Sequence, residues 1–156
     1  MTTSVPSPAA RPAWVHAVFM SASAMTAVTH RGGCHCGAVR FEVDAPSEIE
    51  ALECDCSRCQ QLSFLHLIVP ASRFRLTQGQ SALTLYTFGT HTAKHLFCAT
   101  CGVQSFYVPR SDPDGFSVNV RCLDEGTVTG VRVIPFDGQD WEAGAAATEH
   151  LRTSRQ

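Results

Sequence analysis

Seven of the eight cysteines fall into three tight groups: Cys34 and Cys36, then Cys54, Cys56 and Cys59, then Cys98 and Cys101. This spacing constrains the chain more than any other feature of its sequence. In the middle group three thiols lie within six residues, and one disulfide there would strand the third. A tetrahedral metal ion takes all three as thiolates and keeps one position free. With zinc, four protein ligands make a structural site, and three with an open position make a catalytic one. The spacing therefore predicts a zinc centre at Cys54, Cys56 and Cys59 that is open to a substrate. The competing reading is a second structural zinc whose last ligand comes from elsewhere in the chain.

The outer groups read differently. Each is followed at once by glycine, in Cys34-His35-Cys36-Gly37 and in Cys98-Ala99-Thr100-Cys101-Gly102. A glycine there lets the backbone turn left-handed, so that amide N–H groups face the sulfurs of a metal knuckle. Joining the two knuckles gives a four-cysteine zinc staple that pins early strands to late ones. A rival pairing joins Cys56 and Cys59 with Cys98 and Cys101; it leaves Cys34, Cys36 and Cys54 unexplained, and Gln60 rather than glycine follows Cys59. Cys122 stands alone, as a small apolar residue at a strand end or as a nucleophile of a thiol-redox enzyme.

Thiolate chemistry limits the reaction. Three thiolates on Zn²⁺ leave a formal charge of −1, which makes a weak Lewis acid, poor at activating water and suited to holding a thiolate at neutral pH. Reactions at sulfur follow more naturally than hydrolysis. Arg58, inside the triplet, is a candidate partner for a substrate carboxylate. His35, His66, His91 and His95 lie in the domain, and none has a partner at metal-binding spacing; His66 and His95 read as packing or surface residues.

The chain has 156 residues, 44% hydrophobic and 17% charged, with net charge −2 and pI ≈ 6.4. That composition suits one globular domain that benefits from a metal staple. No basic block marks a nucleic-acid binder, and no apolar run approaches the roughly 20 residues that span a bilayer. The expectations are therefore no nucleic-acid partner, no membrane and, from clustered reduced thiols, a cytoplasmic location. Residues 1–30 form a Ser/Thr/Ala/Pro-rich leader without an acidic residue, read as disordered; its Ser-rich, acid-free character resembles an organelle transit peptide.

From Gly32 onward the pattern is β. Alternation marks a strand over Val39–Val43, and short strands follow at Leu65–Val69, Leu83–Phe88, Leu96–Phe97, Val103–Val108, Phe116–Val120 and Thr127–Ile134. The Ala-rich Trp141–Leu151 reads as a terminal helix. The division expected is a leader over 1–30, a zinc-binding domain over 31–145 and a tail over 146–156.

Together these motifs resemble the glutathione-dependent formaldehyde-activating enzyme family, which includes centromere protein V. The resemblance rests on Gly32-Gly33-Cys34-His35-Cys36-Gly37-Ala38-Val39-Arg40-Phe41, the middle triplet, Phe97-Cys98 with Cys101-Gly102, and Phe136-Asp137-Gly138 with Trp141-Glu142. The runs Val69-Pro70-Ala71-Ser72-Arg73-Phe74 and Arg121-Cys122-Leu123-Asp124-Glu125-Gly126-Thr127-Val128 look closer to the centromere-protein-V branch. The resemblance implies a mainly β, Mss4-like (β-tent) fold of short antiparallel strands with two zinc ions per chain. It implies that Cys34, Cys36, Cys98 and Cys101 hold a structural zinc and that Cys54, Cys56 and Cys59 hold the zinc tied to activity. It further implies a carbon–sulfur lyase that joins glutathione and formaldehyde as S-hydroxymethylglutathione. Two positions depart from the family: Gln60 stands where a basic residue often follows the triplet, and Arg58 where an aliphatic one is common. A zinc-stapled binding module without catalysis is the alternative.

Overall fold

A computed structural model of the protein describes residues 26–153. Among the described residues ten strands and two α-helices are arranged in a mainly β fold. The first sheet holds β1 (Ala27–Gly33), β2 (Arg40–Pro46) and β5 (Phe74–Gln78), all antiparallel. The second has the order β10-β3-β4-β9-β8, from β3 (Glu48–Cys54), β4 (Leu65–Pro70), β8 (Phe106–Tyr107), β9 (Gly115–Asn119) and β10 (Gly130–Phe136). A two-stranded ribbon joins β6 (Leu83–Tyr86) to β7 (His95–Cys98). The β3–β10 pair is parallel, unlike the other strand pairs described. Helix α1 (Ser57–Leu62) follows the first two cysteines of the triplet, and α2 (Trp141–Thr153) ends the described chain.

Alternation explains how these strands build a core. In β2 the residues Phe41, Val43 and Ala45 are buried, while Arg40, Glu42 and Asp44 face outward. The inward residues meet Phe74 and Phe106: Phe41 stacks on Phe74 at 5.5 Å and meets Phe106 edge-on at 5.9 Å. Ile49, Ala51, Leu65, Leu67, Val69 and Val118 continue this core into the second sheet. On the outer face Arg75 bridges Glu42 and Asp44, and Arg31 also pairs with Glu42. The guanidinium of Arg75 holds the Asp44 carboxyl down at about 2.

Several sequence expectations meet their elements here. Strands appear at the positions expected from 39 onward, with Val103–Val108 reduced to the two residues of β8. Three strands were not expected: β3, β5 and the first, β1, which begins at Ala27, inside the stretch read as leader, and buries His30 completely. His30 Nδ1 lies 2.7 Å from Thr127 Oγ1 and Nε2 lies 3.1 Å from the Pro46 carbonyl, which lets a polar ring sit inside. Residues 1–25, the rest of that leader, lie outside the described residues. The terminal helix runs unbroken through position 145 to Thr153. Among the described residues no helix is long and apolar enough to cross a membrane.

Candidate functional site

The two outer cysteine groups come together. All four sulfurs of Cys34, Cys36, Cys98 and Cys101 lie within 4.8 Å of one another. Cys34 Sγ is 3.6 Å from Cys36 Sγ, which is 3.7 Å from Cys98 Sγ. A zinc–sulfur bond of about 2.3 Å sets the edge of a thiolate tetrahedron near 3.8 Å. The spacing fits that polyhedron and is far too long for a disulfide at about 2.0 Å. All eight cysteines are free thiols.

Two similar turns build the cluster. In the first, Cys34 N–H donates to the Val39 carbonyl and Val39 N–H donates to Cys34 Sγ at 3.2 Å. In the second, Cys98 N–H donates to the Val103 carbonyl. The glycine closing each turn is left-handed, with φ of 79° at Gly37 and 74° at Gly102. Backbone amides face the sulfurs as the sequence requires. The amides of Cys36 and Val103 pull the Cys101 thiol down to about 6, and that of Cys101 lowers Cys98. This cluster fits a closed tetrahedral metal ion.

The triplet is built by different means. Cys54 ends β3 opposite Phe136 of β10, and the Asp55 N–H donates to the Phe136 carbonyl at 3.3 Å. The chain after β10 then folds back over the triplet. Gly138 N–H donates to Asp55 Oδ1 at 2.7 Å, and Gln139 Nε2 donates to Oδ2 at 3.3 Å. Cys56 is the N-cap of α1 and Cys59 lies in that helix. Their three sulfurs lie within 4.8 Å of one another, and among the described residues no histidine, carboxylate or further cysteine joins them. Gly138 forms part of the cradle, because a Cβ there would fall 2.3 Å from Cys54 Sγ. The hydrogen bond from Cys59 is the main cause that draws Cys54 down to about 6, and Cys59, as its donor, is held high. Cys54 is thus the thiol most readily ionised, and the donor set fits a zinc ion with one position left over.

All three cysteines line a cavity of about 330 Å³. Most of its walls are apolar: Leu52, Ile68, Phe88, Phe136, Trp141 and Ala145 take part. Arg58 and Arg110 are its charged lining residues, with no carboxylate among them. Arg58 Nη2 donates to Gln104 Oε1 at 2.7 Å, and its guanidinium lies 4.8 Å over the Tyr86 ring. Arg110 stacks 3.9 Å over Trp141, the first residue of α2. Thr148 of the same helix also lines the cavity, so a segment expected to be a tail forms part of its wall.

Two histidines read as packing residues also line the cavity. His95 stacks nearly parallel between Phe88 (5.3 Å) and Tyr107 (4.9 Å). His66 Nδ1 is 3.0 Å from Ser117 Oγ and 3.4 Å from the Tyr107 hydroxyl. Burial pushes both histidines down to about 4; His95 next lowers His66, as Arg58 does His95. Burial likewise raises the Tyr107 phenol. Sequence spacing could not reveal this group, because Ser117, Tyr107 and Gln104 come from strands and loops remote in the chain. Cys122 does not join either cluster, and burial pushes its thiol up to about 11, the opposite of an activated nucleophile.

Fold and site together define a class: a mainly β protein with one cysteine cluster suited to a closed metal ion and a second, three-thiol cluster opening on a cavity. The family model described as glutathione-dependent formaldehyde-activating enzyme matches residues 29–135. The chain belongs to this family. It is also similar to a solved structure, that of a Rhodobacter sphaeroides protein, at 39% identity and a TM-score of 0.58, over 67% of this chain and 99% of that one.

Proposed function

We propose that the protein is a zinc-dependent carbon–sulfur lyase acting on thiol–aldehyde adducts, with glutathione and formaldehyde giving S-hydroxymethylglutathione as its reference reaction. The observation that carries this reading is the three-thiol cluster, without a fourth protein ligand among the described residues, on the wall of a ligand-sized cavity. One zinc ion is assigned to Cys34, Cys36, Cys98 and Cys101 as a staple, and a second to Cys54, Cys56 and Cys59. When bound at the triplet, zinc supplies a site at which a substrate thiol stays ionised at neutral pH.

The chain's own residues orient the reactants. Arg58 and Arg110 give the cavity a positive rim for the carboxylates of a peptide thiol. Gln104 holds the Arg58 guanidinium, and Trp141 supports Arg110 from below. The mostly apolar wall suits a small aldehyde held beside these polar groups. Within the family we assign the chain to the centromere-protein-V-like branch, on the Val69–Phe74 and Arg121–Val128 motifs. Reduced thiolate ligands suit a cytoplasmic setting.

The test compares the zinc-loaded protein with Cys56→Ala. Magnetisation-transfer NMR measures how fast formaldehyde and glutathione exchange with their adduct, a reaction that also proceeds unaided. The reading predicts acceleration by the unaltered protein and none by Cys56→Ala with its fold intact. If the two proteins give the same exchange rate, the lyase reading is wrong and a binding module remains.

A further inference from the structure

The group that handles the substrate oxygen is not identified by the cysteine motifs, and the cavity contains a candidate. We propose that His66 is a catalytic residue whose Nε2–H receives the aldehyde oxygen as negative charge develops there. The proposal rests on the thiol–aldehyde reading above and adds a residue to it.

Three observations support the assignment. His66 is only 4% exposed and yet lines the same cavity as Cys54, Cys56 and Cys59. Its Nε2 is buried without a hydrogen-bond partner, a condition shared by Arg58 Nε on the same cavity. Leaving a buried polar atom unmatched is costly, and native structures contain few such groups. A ring nitrogen left unmatched in the wall that also carries the thiols is a place for a partner that arrives with a ligand. The third observation concerns the other ring nitrogen. Two hydroxyls, of Ser117 and Tyr107, face Nδ1. With Nδ1 accepting from a hydroxyl, the ring proton belongs on Nε2.

The ring is also held firmly. His66 belongs to β4, paired with Leu52 of β3 on one side and Asn119 of β9 on the other. The Phe64 ring packs 4.6 Å away. A donor fixed by a sheet needs little reorganisation when charge appears, the condition under which such hydrogen bonds contribute most to a transition state.

The step balances without a further reactant. A lone pair of the substrate thiolate forms the C–S bond, and the C=O π pair moves onto oxygen. Oxygen ends as the hydroxyl by taking, through water, the proton that the thiol released on ionising. His66 donates a hydrogen bond throughout and keeps its own proton. In the reverse direction it stabilises the same alkoxide as the C–S bond breaks. Arg58 is the poorer candidate for this oxygen, since its guanidinium is already turned to Gln104 and Tyr86.

Nitrogen-15 NMR of the zinc-loaded, full-length protein reads the tautomer directly: Nε2–H is expected, and a proton on Nδ1 overturns the proposal. The exchange rate of glutathione and formaldehyde with their adduct should fall about a hundredfold in His66→Leu, the usual scale for removing one such donor. Zinc content and half-saturating glutathione should stay near their original values, and His66→Asn, which keeps an N–H donor, should recover part of the rate. Acceleration that survives His66→Leu sinks the His66 assignment alone. Absence of acceleration by the unaltered protein sinks the underlying reaction instead. Should His66→Leu fail to fold, the tautomer of the unaltered protein decides.

Discussion

The two cysteine clusters use the same ligand chemistry and are built in opposite ways. The four-cysteine cluster is assembled by backbone: two tight turns, each closed by a left-handed glycine, with amides aimed at sulfur. The triplet is assembled by tertiary packing: a strand end, a six-residue helix and a loop folded back from β10. The first has a complete tetrahedral set and does not line the cavity described above. The second is one ligand short and lines the cavity. The difference teaches that cysteine count decides metal binding, whereas coordination number and surroundings decide whether the ion holds the fold or serves a reaction.

This contrast can be broken most severely at the staple. Cys98→Ser should abolish cooperative folding, because structural zinc contributes roughly 10–16 kcal/mol in small domains, as much as a whole domain's stability. Loss of the thermal transition together with loss of zinc is the expected result. A folded Cys98→Ser protein would remove the distinction between the clusters.

A smaller effect is expected from acid, and its sign follows from burial. His66 has its folded value depressed from 6.5 to about 4, so the unfolded chain binds its proton first. The stabilisation from keeping this ring neutral is complete above about pH 6.5 and is lost as pH falls through about 4. For His66, which is buried, the swing is on the order of 3 kcal/mol. Urea titrations across that window should show a shallower fall in stability for His66→Leu than for the unaltered protein. Equal slopes would mean that His66 titrates normally.

Gly138→Ala sharpens the comparison most finely. The added methyl has no room beside Cys54 Sγ and must displace it. Overpacking of this kind costs about 1–3 kcal/mol, so the protein should still fold. Metal analysis should find the triplet's zinc lost and the staple's kept. Retention of both ions would show that the wall at Gly138 is softer than the geometry implies.

Much of this was legible in the sequence because it is encoded locally. Cys-x-Cys and Cys-x-x-Cys place thiols within reach of one ion whatever the rest of the chain does, and the glycine after each knuckle announces its own backbone turn. Strand β2 was equally plain from its alternation. What stayed hidden depends on contacts between remote segments. Strand β1 begins where the composition still reads as leader, and His30 becomes a core residue only through Thr127 and the Pro46 carbonyl. Helix α1 is only six residues long, with no side chain capping its start, and left no periodic signal. His66 looked like packing, since Ser117 and Tyr107 reach it only when β9 and β8 align in the sheet. Trp141 and the helix it opens became part of the cavity wall only on folding over the triplet.

The central claim is that the triplet grips one zinc ion and keeps a place for a substrate thiol. Zinc-edge X-ray absorption of the fully loaded, full-length protein, recorded with and without glutathione, tests it most directly. The account predicts that the average number of sulfur neighbours per zinc rises when glutathione is added, and that this rise is absent in Cys56→Ala. A sulfur count already complete without glutathione and unmoved by it would contradict the claim and leave two structural ions.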